Sequence, residues 1–133
     1  MILFDKELLD KLSEQAKASP RLRATMDLRT TPNDSSQRVL NALEPGTIVP
    51  IHRHTRSTEV VVMVRGKLKE TLYNDNGDIT SAFIAEAGGE NCGFSLPVGQ
   101  WHTAECLAEG TIFCECKDGA YEHLSENDIL KLC

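Results

Sequence analysis

The stretch GTIVPIHRHTRSTEVVVMVRG, residues 46–66, decides the fold. His52 and His54 lie two residues apart, so on an extended strand they face the same way with Cα atoms about 6.6 Å apart. Two imidazoles in this arrangement can converge on one metal ion at about 2.1 Å. Glu59 has the opposite parity, but the polar residues 55–58 can turn the chain. We therefore expect Glu59 to open the next strand and to point back towards the two histidines.

Short apolar runs alternate with turn residues from Gln37 onward. Runs of this length at a spacing of about 8–12 residues are typical of a β-sandwich or barrel, and Asn74-Asp75-Asn76-Gly77 favours a tight hairpin turn. The sequence therefore predicts an all-β fold, a single jelly-roll domain. The predicted strands are residues 38–43, 47–52, 59–66, 67–73, 79–86, 94–97, 101–110 and 111–119.

A helix is predicted ahead of the β-domain, over residues 5–18, with Asp5 as its N-cap. Its apolar residues fall on one stripe, formed by Leu8, Leu9, Leu12 and Ala16. We expect one domain overall, in which residues 1–36 form the helix and a connecting segment and residues 37–133 form the barrel.

Length and charge exclude several classes of protein. The chain has 133 residues, which suits one domain, and its net charge of −6 argues against nucleic acid as a partner. No apolar run approaches the roughly 20 residues that span a bilayer, and the apolar N-terminus is too short for a signal peptide. We therefore expect a cytoplasmic protein whose cysteines remain thiols. The cysteines are Cys92, Cys106, Cys114, Cys116 and Cys133.

A fourth metal ligand is predicted far along the chain at His102, which begins a strand after the turn at residues 97–100. Three neutral imidazoles and one carboxylate suit Zn, Fe, Mn or Ni, and also Cu. The predicted cofactor is therefore one divalent transition metal ion, held by His52, His54, Glu59 and His102. Such a set leaves one or two coordination positions open for water or substrate.

These residues resemble the two cupin motifs. The first motif is matched at every position by the pattern Gly46-x5-His52-x-His54-x4-Glu59-x6-Gly66, and the core of the second by Pro97-x-Gly99-x2-His102. In the second motif Asn91 stands in the slot of the opening glycine, and Cys106 stands where an asparagine usually closes the motif. The resemblance implies a cupin jelly-roll barrel and the same metal ligands.

A closer resemblance covers nearly the whole chain and points to the WbuC family. These are small bacterial cupin-fold metalloproteins, often encoded among genes for surface-polysaccharide biosynthesis. Ala120 departs from the pattern, since the family tends to have Pro there. The segments that carry the resemblance are Ser19–Arg23, Arg38-x2-Asn41-Ala42-Leu43-Glu44-Pro45-Gly46-Thr47, His52-Arg53-His54 and Glu115-x-Lys117-x-Gly119-x-Tyr121.

Several polar residues in these segments are candidates for binding a substrate. Arg38 lies inside an apolar run, and a guanidinium near an open metal position would hold an anion such as a carboxylate or phosphate. The alternative is that Arg38 pairs with an acidic side chain and holds two strands together. The full set of candidates is Arg23, Arg38, Asn41, Lys117 and Tyr121.

The strand that follows Glu59 is apolar on both faces, although a barrel strand normally turns one face to water. Its outer residues Val60, Val62 and Val64 therefore need cover. Either the N-terminal helix or a second subunit could provide it, and we expect a homodimer.

Three functions are compatible with these features. The first is a metal-dependent enzyme, of isomerase or epimerase type, acting on a small polar or anionic substrate such as a sugar derivative. The second is a non-heme iron oxygenase, and the third is a non-catalytic module that binds a small ligand through the metal. The sequence does not separate the three.

Overall fold

The computed structural model describes residues 1–132 and contains, over that range, one α-helix, eight strands and a 3-10 turn. The helix α1 spans Lys6–Ala18, and the 3-10 turn spans Glu126–Asp128. Cys133, one of the five predicted thiols, lies outside the described residues. The strands are β1 (Arg23–Asp27), β2 (Ser36–Leu43), β3 (Glu59–Arg65), β4 (Lys67–Tyr73), β5 (Ile79–Glu86), β6 (Gly93–Leu96), β7 (Trp101–Cys106) and β8 (Thr111–Asp118).

The strands form two antiparallel sheets, which confirms the predicted jelly roll with an N-terminal helix. One sheet has the order β1-β2-β8-β3-β6 and the other the order β5-β4-β7. The hairpin between β4 and β5 turns at the predicted place, where Asn74 N–H donates to the Asp78 carbonyl and Gly77 has φ +85°. The core between the sheets contains Leu43, Val61, Met63, Leu68, Ala85, Cys106 and Phe113.

Two strand assignments were wrong, and the predicted strand 101–110 ends at Cys106. Residues 47–52 form no strand beyond two isolated bridges of His52, to His102 and to Ile129, because Pro50 has no N–H to donate and Thr47 N–H closes a turn on the Glu44 carbonyl. The segment between the helix and the barrel was predicted to contain no strand, but it contains β1. This strand pairs with β2, with Arg23 opposite Leu43. The segment 1–36 therefore contributes a strand to the barrel as well as the helix.

Helix α1 begins as predicted, because the Asp5 side chain accepts a hydrogen bond from Leu8 N–H at 3.0 Å. Its buried apolar stripe packs on the outer face of β2 and β8. The residues of this second core are Leu9, Leu12, Ala16, Leu40, Ala42 and Ile112. The helix is too short and too polar to be a membrane-spanning segment, and it is the one α-helix of the described chain.

The helix covers only one end of the outer stripe of β3. Val64 packs against the helix core, whereas Val60 and Val62 are 40% and 48% exposed. Their neighbours across the strand pair, Cys116 and Cys114, share this outer face. The homodimer therefore stays a prediction, now restricted to this stripe. Four cysteines are free in the described chain, namely Cys92, Cys106, Cys114 and Cys116.

Candidate metal centre

Backbone pairing brings two distant segments of the chain together. His52 N–H donates to the His102 carbonyl at 3.0 Å, and His102 N–H donates back to the His52 carbonyl at 2.9 Å. Two residues on, the His54 carbonyl accepts from Gly99 N–H at 2.8 Å. The loop before β3 is therefore fixed against the start of β7, although it is not itself a strand.

The three histidines point into one small volume. Each of His52, His54 and His102 offers a ring nitrogen, and these atoms lie within 4.8 Å of one another. His52 Nδ1 lies 2.9 Å from the Pro50 carbonyl, and His102 Nδ1 lies 2.9 Å from the Gln100 carbonyl. A carbonyl can only accept, so each Nδ1 carries the proton and each Nε2 keeps its lone pair. This tautomer is the one that metal-binding histidines use.

The predicted fourth ligand, Glu59, lies beside these three histidines. It opens β3, is 6% exposed, and places Oε2 3.4 Å from His54 Nε2 and 3.3 Å from His102 Nε2. This Oε2 is buried and has no hydrogen-bond partner among the described residues. Donors bound at about 2.1 Å to a common ion lie roughly 3.0–3.4 Å apart, which matches both distances. The orphaned oxygen and the donor types together fit a divalent transition metal.

The protonation states also suit a metal. Burial, with the neighbouring His102, lowers the pKa of His52 to about 4, so that this imidazole is neutral at ordinary pH. Burial alone would raise the pKa of Glu59, but the closeness of the His102 and His54 rings outweighs it and lowers that pKa below its usual value. Conversely, burial would lower the pKa of His102, and its contact with Glu59 raises it. A neutral His52 and an ionised Glu59 are the protonation states that metal ligands need.

The centre lies in a cavity of about 540 Å³ between the two sheets. This cavity also contains a carboxyl that we did not predict, that of Glu70 on β4, whose residue is 1% exposed. Burial raises the pKa of Glu70 to about 8, and the nearby Glu59 and Glu115 add to the effect, while His102 opposes it. The sequence could have indicated this position. Glu70 lies two residues after Leu68 on the same strand, so both side chains point to the buried face.

Three of the five predicted substrate-binding residues line the cavity. Arg23, Lys117 and Tyr121 do so directly. Asn41 is buried on β2, where its Nδ2 donates to Glu115 Oε2 at 3.4 Å. Asn41 therefore supports a cavity residue and is not among those that line the cavity.

The fifth residue, Arg38, is not placed where we predicted. It is not part of the cavity lining, and its guanidinium donates to Asp34 Oδ2 at 2.7 Å and to the Leu28 carbonyl at 3.3 Å. The reason is parity, because Arg38 shares its strand face with Leu40, which packs under α1. The alternative, pairing with an acidic side chain, describes Arg38 correctly.

Comparisons with known proteins agree with this fold. A family model described as "Domain of unknown function (DUF6016)" matches residues 4–85, and no curated protein matches the chain. Oxalate oxidase in complex with glycolate is similar with a TM-score of 0.65 at 16% identity, covering 81% of this chain and 56% of that one. KdgF from Halomonas sp. has a TM-score of 0.61 at 16% identity, covering 76% of this chain and 82% of that one.

A further similar structure is oxalate decarboxylase from Bacillus subtilis, an enzyme with Mn(II) centres, with a TM-score of 0.59 at 25% identity. The similarity covers 83% of this chain but only 28% of that one. These similarities confirm the cupin jelly roll. Taken with the histidine group, they also confirm a cupin metal-binding protein for one divalent transition metal ion.

Proposed function

The chain belongs to the family described as a domain of unknown function, DUF6016, and we propose that it is a metal-dependent enzyme, of isomerase or epimerase type, for a small polar or anionic substrate. The observation that carries this proposal is the orphaned carboxylate oxygen of Glu59 among three imidazoles at the wall of a cavity. A purely structural metal site is closed on all sides by protein ligands, whereas this one faces open space.

In this proposal His52, His54, Glu59 and His102 hold the ion. When bound, the ion would act as a Lewis acid that polarises a substrate oxygen. The Nδ1 hydrogen bonds of His52 and His102 to backbone carbonyls keep both rings oriented.

Glu70 is the proposed group that moves a proton. Its carboxyl is buried in the same cavity. An isomerisation or epimerisation takes a proton from one carbon and returns one to the same or the adjacent carbon, so it balances without an external oxidant. One buried carboxyl oxygen can both accept and return that proton. Apolar neighbours such as Leu68 and Phe113 line the cavity beside it and limit the entry of water.

Two resemblances support the proposed substrate class. The WbuC-type pattern supports a sugar derivative in surface-polysaccharide biosynthesis, at a cytoplasmic location where the cysteines stay reduced. One structural neighbour, oxalate oxidase, binds glycolate, a small carboxylate, which supports a polar or anionic ligand.

Solvent exchange at carbon tests this proposal. Protein purified without added metal is first analysed for bound metal, and then incubated in D₂O with sugar phosphates and nucleotide sugars under NMR observation. We expect deuterium to enter one carbon position with the wild type. Neither His102→Ala nor Glu70→Gln should catalyse that exchange, while Glu105→Gln, an exposed glutamate on β7, should match the wild type. Metal-loaded wild type that exchanges no carbon-bound proton would refute the assignment.

The open coordination positions also favour a second function, that of a non-heme iron oxygenase. Oxygen uptake by the iron-loaded protein with the same panel of compounds would support it. Ligand binding without exchange or oxygen uptake would support a non-catalytic binding module.

A further inference from the structure

The charged side chains that line the cavity are unequally paired. Five arginines and lysines line the cavity, and three of them form ion pairs. The other two, Arg21 and Arg23, have no carboxylate of residues 1–132 within salt-bridge distance. The three ion pairs are Arg53 with Asp128 at 3.4 Å, Arg56 with Glu122 at 2.9 Å and Lys117 with Glu115 at 2.7 Å.

Arg23 is half buried, and its guanidinium donates no hydrogen bond within the described chain. Burial and the nearby Arg21 lower the pKa of Arg23, while Glu115 opposes them. Glu115, however, already accepts from Lys117 and from Asn41. A half-buried guanidinium has five N–H donors, and leaving them without acceptors is costly, so an acceptor from a ligand would be stabilising.

The backbone between the two arginines is strained. Leu22 has φ +55° and is the one residue other than glycine with positive φ in the described chain. Its carbonyl accepts from Glu44 N–H at 3.0 Å and from Thr47 Oγ1 at 2.6 Å, so the surrounding loop holds this conformation in place. Strain of this kind persists only where neighbours impose it, and it is concentrated at ligand-binding segments.

We propose that Arg21 and Arg23, held on either side of Leu22, form a subsite for an anionic group of the ligand, a carboxylate or a phosphate. A guanidinium fork binds either group through paired hydrogen bonds. The subsite and the metal centre line the same cavity, so one ligand can place an oxygen at the metal and its anionic group at Arg23. That the same ligand also reaches the metal rests on the proposed function. Binding of an anion at Arg21 and Arg23 does not.

Calorimetric titration with inorganic phosphate and with malonate tests the subsite. Both probes are titrated into the protein as purified and again after EDTA treatment. Arg23→Gln should raise the Kd of the preferred probe at least about tenfold in both states, and Arg21→Gln about threefold, since charge-assisted hydrogen bonds are lost. The matched control is Arg38→Gln, which removes the same charge from an arginine already paired with Asp34 outside the cavity. It should leave Kd unchanged.

The two probes separate the sources of the anion. Stronger binding of phosphate supports a phosphorylated ligand, and stronger binding of malonate supports a carboxylate. If Arg23→Gln does not fold, as judged by circular dichroism, then Arg23→Lys and Arg21→Gln decide, because Lys keeps the charge but loses the fork.

The subsite is refuted if the wild type binds neither probe, or if the arginine variants that fold bind like the wild type. Its failure is distinguishable from failure of the proposed function. If metal-loaded wild type exchanges no carbon-bound proton while phosphate binding still depends on Arg23, the metal enzyme is refuted and the subsite is supported. If Arg23→Gln changes neither the metal-dependent exchange of carbon-bound protons nor the binding of anions, the subsite is refuted and the metal enzyme is supported.

Discussion

Glu70 gives the sharpest test of how deeply the cavity buries a carboxyl group, because its raised pKa makes the stability of the folded protein depend on pH. The pKa lies at about 8 in the folded protein, against 4.5 for a freely hydrated glutamate. Between these values the folded state keeps the proton that the unfolded state has lost, so the stability of the wild type falls as pH rises. Each pH unit in this window costs up to about 1.4 kcal/mol. Gln is neutral throughout and removes the dependence.

We therefore expect Glu70→Gln to gain stability relative to the wild type as pH rises. From about pH 5.5 to about pH 7.5 the upper limit is about 2.7 kcal/mol, and water in the cavity reduces this to about 1–2 kcal/mol. Urea denaturation at both pH values, in EDTA so that no metal contributes, measures the difference. Glu105→Gln, the same change at an exposed position, should show no such trend. Equal stability differences for Glu70→Gln at both pH values would refute the reasoning.

Three further predictions follow from other parts of the molecule. His102→Ala should abolish metal binding and leave the circular dichroism spectrum folded, and full metal occupancy would contradict the ligand assignment. The wild type should sediment as a dimer at micromolar concentration and Val62→Glu as a monomer, whereas a monomeric wild type would refute the predicted interface. The free energy of unfolding, measured with urea, should be about 2 kcal/mol lower for Gly66→Ala than for Gly88→Ala. Both glycines have φ +73°, but only at Gly66 would a Cβ clash, at 2.7 Å from the Thr111 Cα, and equal losses would show that the backbone yields.

The sequence was sufficient for most of the barrel because its signals are local. β4 and β5 were predicted at their observed bounds, since alternation of apolar residues and a hairpin turn of Asn and Gly are read within a few residues. The helix and its Asp5 cap follow from similarly local patterns. β1 was missed because its five residues show no clear alternation, and it is a strand only through its pairing with β2.

The same distinction explains the candidate site. The spacing of His52, His54 and Glu59 lies within one short segment, and the structure brings them together with His102. Whether these four bind the ion is for the metal analysis to test. The position of Arg38 was predicted wrongly because an arginine in an apolar run was expected to face the cavity. It lies two residues from Leu40 on β2, so it points to the side of the sheet that the helix covers.

Gly46 connects the metal motif with the arginine pair. In the sequence it is simply the glycine that opens the motif, and its φ of +100° agrees with a turn. A Cβ at this position would lie 3.1 Å from Leu22 Cδ1, so Gly46 and Leu22 are in close contact. Thr47, the next residue, donates to the Leu22 carbonyl. The loop that carries His52 therefore also imposes the strained turn between Arg21 and Arg23. Because the same loop is bonded to Leu22 at one end and to His102 at the other, it links the proposed anion subsite to the candidate metal centre.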